Sequence, residues 1–288
     1  MSGQDYEHRR DWIEQRLRLL SSLFSIDICA YAVMSNHYHL VVHLDPARSL
    51  NWTDEDVLLR WTSLFRGPLL VQRAVAGMAL DLVEQATLTS IIRVYRKRLA
   101  SLSWFMKCLN EPIARQANAE DRCTGHFWEA RFHSQALKTD AALLAAMAYV
   151  DLNPIRARMA RTPETSAFTS IRSRLTNTPT DNELQNAFNE MIDRGELQEI
   201  SHSIQPLMPF SKGQALESTP TLPMEETRYV ELVDATGRIK QRGKRGRIDT
   251  SLDPILERLG LSADGWVEAS SSIRKSLWNG KLRTAKTI

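Results

Sequence analysis

The chain has 288 residues, 43% of them hydrophobic and 25% charged, with a formal net charge of +3. These are the proportions of an ordinary soluble globular protein, long enough for one large domain or two modest ones. No apolar run reaches the roughly 18 residues that cross a bilayer, and the opening MSGQDYEHRR holds no apolar signal core, so membrane insertion and export are not indicated. Three cysteines, Cys29, Cys108 and Cys123, are odd in number and far apart. They argue against a disulfide framework and fit a reducing cytoplasm, and none has zinc-knuckle spacing.

In chain order, residues 5–24 read as an amphipathic helix, with Trp12, Leu17, Leu20 and Phe24 at helical spacing. A strand over Ile28 to Val33 follows. Met34-Ser35-Asn36 continues it or turns it into a second strand over 37–44, which Asp45-Pro46 ends. Residues 47–120 are expected to be mostly helical, with segments near 54–66, 68–80 and 100–118. Thr87 to Tyr95 stays ambiguous, since β-branched residues allow a strand while Arg93 to Leu99 favours helix. Gly125 to Phe132 is dense in aromatics and reads as a turn leading into a strand that runs to about Leu137. A helix from about Asp140 to Asn153 is the clearest element. Thr139 and Asp140 cap its first turn, Ala141 to Ala148 are strong helix formers, and Pro154 sets its end. Beyond Thr162-Pro163, residues 176–186 and 201–223 read as loop or linker, and 249–284 as helical again.

The run Met34-Ser-Asn-His37-Tyr38-His39-Leu-Val-Val carries the first chemistry. Side chains alternate along a strand, so His37 and His39 project from one face and make half of a divalent-metal site. A lone His-x-His is also compatible with a structural or merely exposed pair. His43 shares the face but lies roughly 13 Å beyond His39, which makes it a rim residue unless the strand bends. Tyr149 and Asn153, four residues apart, fall on one helical face. If that face packs over the sheet, the Asn153 amide oxygen supplies a third ligand and Tyr149 a nucleophile; the plainer reading of Tyr149 is a core tyrosine. A phenol ordinarily titrates near about 10 and attacks only an activated electrophile, which bound Mg²⁺ or Mn²⁺ provides by polarising a phosphodiester. Basic clusters at Arg93–Arg98, at Arg156, Arg158 and Arg161, and at 238–247 (six Lys or Arg, no acid) suit a phosphate backbone, or else are solvated loops.

Three motifs in order, the paired-histidine run, Gly125-His-Phe-Trp128-Glu-Ala-Arg131-Phe132, and Ala148-Tyr149-Val-Asp-Leu-Asn153-Pro154-Ile-Arg156-Ala157, resemble the single-tyrosine HUH transposases, in particular the REP-associated tyrosine transposases. The resemblance covers about residues 28–161. It implies an α+β fold, a ferredoxin-like (RRM-like) antiparallel sheet with packed helices, with a long helical insertion over about 51–100 and a mainly helical C-terminal extension. It implies a catalytic domain over 1–164 and an accessory region over 165–288 with a basic linker at 238–247. It implies that Tyr149 attacks single-stranded DNA of hairpin or inverted-repeat form, giving a 5′-phosphotyrosine and a free 3′-hydroxyl, with His37, His39 and Asn153 as ligands of Mg²⁺ or Mn²⁺. Arg131, Arg156, Trp128, Lys244 and Arg245 are the expected DNA contacts, with core packing the alternative for Trp128 and its aromatic neighbours and a plain linker the alternative for 238–247. Relatives act as monomers or homodimers. The resemblance also implies a strand ahead of the first helix, which this chain does not begin with, and so an unpaired sheet edge. That leaves a second expectation beside the enzyme: a relative that binds DNA hairpins without cutting them.

Overall fold

In the computed structural model, which describes residues 6–175, 207–211 and 220–239, the chain is an α+β protein whose sheet, among the described residues, is one antiparallel hairpin. Its strands are β1 (Ile26–Val33) and β2 (Tyr38–Leu44), with Tyr31 opposite Leu40 and Ala32 opposite His39. The Met34 N–H donates to the His37 carbonyl at 2.8 Å and closes the turn between them.

The register slips between Ile28 and Ala30. One extra residue in a strand reverses the facing of all that follow it. Ile26, Ile28, Tyr31 and Val33 therefore all enter one core, and Cys29, Ala30, Ala32 and Met34 the other. The bulky face is covered by α1 (Glu7–Leu23), which also packs on α6 (Leu102–Glu120). The small-residue face is covered by α7 (Asp140–Asp151), which brings Ala145, Ala146 and Ala148 to the contact. Alanine on the helix and Ala or Cys on the strand leave little side chain between the two backbones, so α7 sits close to the sheet. β1 is buried along its whole length.

The insertion is helical throughout: α2 (Pro46–Leu50), α3 (Asp54–Thr62), α4 (Leu69–Val75) and α5 (Leu82–Leu99) precede α6. Capping boxes at Thr53/Asp56 and Asp81/Glu84 start α3 and α5. The ambiguous stretch 87–95 lies inside α5, where Ile92, Tyr95 and Leu99 form the buried stripe. After α7 come α8 (Asn153–Arg156), a 3₁₀ turn at Pro163–Thr165, α9 (Ser170–Leu175) and, in the last described stretch, α10 (Glu226–Arg238).

One expectation is corrected. Residues 125–137 form no strand. Phe127 is buried against α6, the Trp128 indole N–H donates to the Asn110 carbonyl at 2.9 Å, and the segment makes no backbone hydrogen bonds to β1 or β2. A strand needs a neighbouring ladder, and these aromatics are spent on helix packing instead. The outer edge of β1 takes hydrogen bonds from later in the chain. The Val33 N–H donates to the Phe168 carbonyl at 3.0 Å, the Tyr31 N–H to Ser170 Oγ at 2.9 Å, and the Met208 N–H to the Ile28 carbonyl at 2.9 Å. Residues beyond 164 thus finish the sheet rather than hang from it. Among the described residues no further strand pairs with β2. The basic stretch 240–247 and the helix expected over 249–284 lie outside the described residues. No described helix is long and apolar enough to cross a membrane.

Candidate active site

His37 ends the hairpin turn and His39 is the second residue of β2. Strand alternation puts both rings on the α7 side, 4.9 Å apart between centroids and nearly perpendicular. The His37 Nδ1–H donates to Asn36 Oδ1 at 2.7 Å, an oxygen that can only accept. That fixes the tautomer and leaves His37 Nε2 with a free lone pair, the arrangement of a metal-binding imidazole held by a neighbouring acceptor. Burial lowers the pKa of His37; burial, then the neighbouring His37, pulls His39 down to about 3. Both rings are therefore neutral near pH 7, the form that ligates metals.

α7 brings Tyr149 to this pair. Its ring lies 5.7 Å from the His39 ring, edge to face. Leu144 to Ala148 and Val150 to Asp151 are buried, whereas Tyr149 between them is only half-buried, so the phenol stands at the rim of the helix–sheet contact. The helix ends at Asp151, and Asn153 opens α8 one residue beyond the Leu152 cap. Asn153 Nδ2 is buried with no hydrogen-bonding partner among the described residues. A half-turn about χ2 brings the amide oxygen, a hard-metal ligand, to that same buried position. The Arg156 guanidinium lies 5.8 Å from the centre of the Tyr149 ring and adds a cation on the same side. No three His, Cys, Asp or Glu side chains gather into a metal-binding group among the described residues. Two neutral imidazoles and an amide are donor types that suit a divalent cation completing its shell with water and phosphate oxygens.

No family model matches the chain, and no curated protein or solved structure matches it either.

The other expected residues are placed less centrally. Trp128 packs edge-on against Tyr38 at 5.6 Å and Phe127 at 4.9 Å, and Arg131 is exposed on the irregular segment that follows. Lys244 and Arg245 lie outside the described residues. His43 is held away from the pair by its cross-strand neighbour Asp27, whose Oδ2 is 3.1 Å from His43 Nδ1, and Arg48 donates to the other oxygen of Asp27 at 2.7 Å.

Two residues with evident roles escaped the sequence reading. Asn36, which orients His37, was legible only as a side-chain acceptor beside a turn histidine. Asp151 had a stronger signal. A carboxylate in the last turn of a helix faces the negative end of the helix dipole, so it must answer to something outside the helix. Its Oδ1 accepts from the Ser170 hydroxyl and from the Ile171 N–H at 3.0 Å, and its Oδ2 from the Tyr229 hydroxyl at 2.6 Å. Burial raises its pKa to about 6, and the bonds from Ser170 and Tyr229 oppose that rise.

Proposed function

We propose that this protein cleaves and rejoins single-stranded DNA by transesterification, with Tyr149 as nucleophile, and that it acts in DNA transposition. The observation that carries the reading is the meeting of Tyr149 with His39, and through it with His37, at 5.7 Å and 4.9 Å between ring centres. Paired neutral imidazoles, an unpartnered buried amide and a half-exposed phenol flanked by a guanidinium are the parts that phosphodiester transfer to tyrosine requires. The resemblance to the REP-associated tyrosine transposases supplies the direction of the reaction. The hairpin under α7 is also consistent with a reduced ferredoxin-like sheet.

In this reading His37 and His39 hold Mg²⁺ or Mn²⁺, with the Asn153 amide oxygen as the third ligand. When bound, the cation polarises the scissile phosphate and stabilises charge on the departing oxygen. Tyr149 Oη attacks phosphorus, and the bond from phosphorus to the 3′ oxygen breaks. The phenol loses a proton as the departing 3′ oxygen gains one, so the exchange is neutral overall and needs no nucleoside triphosphate. The products are a 5′-phosphotyrosine and a 3′-hydroxyl. Arg156 neutralises a non-bridging phosphate oxygen beside the phenol, and Arg131 contacts the flanking strand.

The test uses labelled single-stranded oligonucleotides carrying hairpins, with Mg²⁺ or Mn²⁺. Native protein is expected to form an adduct that survives denaturing electrophoresis, EDTA to abolish it, and Tyr149→Phe to abolish it while oligonucleotide affinity stays within about threefold, since one hydroxyl is lost. An adduct with Tyr149→Phe would refute the nucleophile. Hairpin affinity without cleavage in either metal would favour the binding-only relative instead.

A further inference from the structure

Tyr149 and the paired histidines sit on separate elements, so their distance depends on what locks α7 to the hairpin. Packing of Leu144, Met147 and Val150 beside the alanines of α7 holds the helix on the hairpin without directional contacts. A directional tether stands at the end of the helix nearest Tyr149.

Asp151 is fully buried, two residues from Tyr149 and two from Asn153. Its Oδ1 takes the Ser170 hydroxyl and the Ile171 N–H, both at the start of α9. Ser170, also fully buried, takes the Tyr31 N–H on its Oγ at 2.9 Å and lies 3.2 Å from the Tyr31 carbonyl oxygen. Tyr31 pairs across the hairpin with Leu40, the residue after His39. The path from nucleophile to ligand strand is therefore Asp151, Ser170, Tyr31 and the β1–β2 ladder, made of short directional bonds. A second, separate bond runs from the other carboxylate oxygen to Tyr229 of α10, an element that carries neither histidine.

We propose that Asp151 is a positioning residue: through Ser170 it registers the Tyr149 helix against the strand bearing His39, so that Ser170, beyond residue 164, is part of the catalytic unit. The proposal rests on the function proposed above, and its test separates the two. Ser170→Ala cuts the path to β1. Tyr229→Phe removes a buried hydrogen bond from the same carboxylate and leaves that path intact, so it serves as the control for lost stability. Three quantities are read on the full chain: adduct rate at saturating oligonucleotide, oligonucleotide affinity, and the NMR shifts of the His39 imidazole protons, which feel the ring current of Tyr149 and need no substrate.

Ser170→Ala is expected to form adduct at least about tenfold more slowly, with affinity within about twofold and displaced His39 signals, because small misplacement of a reacting group costs rate rather than binding. Tyr229→Phe is expected to leave rate and His39 signals near native values. His39 signals unmoved by Ser170→Ala overturn the proposal, whatever the rate. So does a native rate in Ser170→Ala, and so does equal slowing of both variants in step with melting temperature. If the native protein forms no adduct at all, the proposed reaction falls, and the His39 shifts alone decide the positioning: displaced by Ser170→Ala but not by Tyr229→Phe upholds it, and any other pattern overturns it.

Discussion

An imidazole that ligates a cation must be neutral and must point one nitrogen at the site. His37 and His39 meet the first condition through burial, and the acceptor Asn36 holds the His37 ring in one orientation. If the proposed cation is held there, Asn36→Ala frees the His37 ring to turn and is expected to weaken Mn²⁺ binding about tenfold or more by isothermal titration, with little change in melting temperature. Another residue contributes to the pH dependence of stability. Glu14 is half-buried, accepts from the Tyr31 hydroxyl, and burial holds its pKa above the ordinary carboxyl value. The folded state then binds the proton more tightly than the unfolded chain does. Its contribution is fully present below the unfolded pKa and is lost as pH climbs through the raised folded value. Glu14→Gln keeps an oxygen for Tyr31 and removes the buried charge. Its melting temperature relative to native is therefore expected to rise as pH climbs above the ordinary carboxyl value; a constant difference would refute the assignment.

At the level of elements, caps and period do most of the local work. Asp81 accepts from the Glu84 N–H at 2.8 Å, and the Glu84 side chain returns the bond to the Asp81 N–H at 3.1 Å. That capping box marks the start of α5 in the sequence more clearly than the β-branched residues at 87–95 argue against it. Asp81→Ala is expected to cost about 1 kcal/mol in urea denaturation, because two first-turn donors lose their acceptor or its support. The hairpin depends on one irregularity. Without the extra residue near Cys29, Tyr31 and Val33 would turn toward α7, where only small side chains leave room for the helix.

At the scale of the whole molecule, the C-terminal segments close what the hairpin leaves open. Phe168, Ser170 and Met208 take up the outer edge of β1, and Met208, Phe210, Leu222 and Tyr229 bury the remaining surface of α7 and β1. A fragment of residues 1–164 therefore exposes both a strand edge and an apolar face. It is expected to aggregate in size-exclusion chromatography, or to lack a cooperative melt, where the full chain elutes as a defined species. A monomeric fragment melting like the full chain would show that the boundary at 164 separates independent units.

Strand alternation in the sequence was sufficient to align His37 with His39, because that geometry is local, whereas the break at Leu152, which puts Asn153 in a helix of its own beyond the one that carries Tyr149, was not foreseen. Helix 140–151, the hairpin strands and most of the insertion were legible for the same reason: alanine content, caps, proline and apolar spacing act over a few residues. Whether the two faces meet was not legible, since that depends on the bulge that sorts large from small side chains along β1. Nor was the absence of a strand at 125–137, which turned on what neighbours Phe127 and Trp128 found. Asp151, Ser170 and Tyr31, and likewise Ile28 and Met208, are brought together from distant stretches of chain. Hydrogen bonds among them form only after the chain has closed on itself, and so tertiary structure alone decided which edge was covered and what holds the tyrosine helix to the histidine strand.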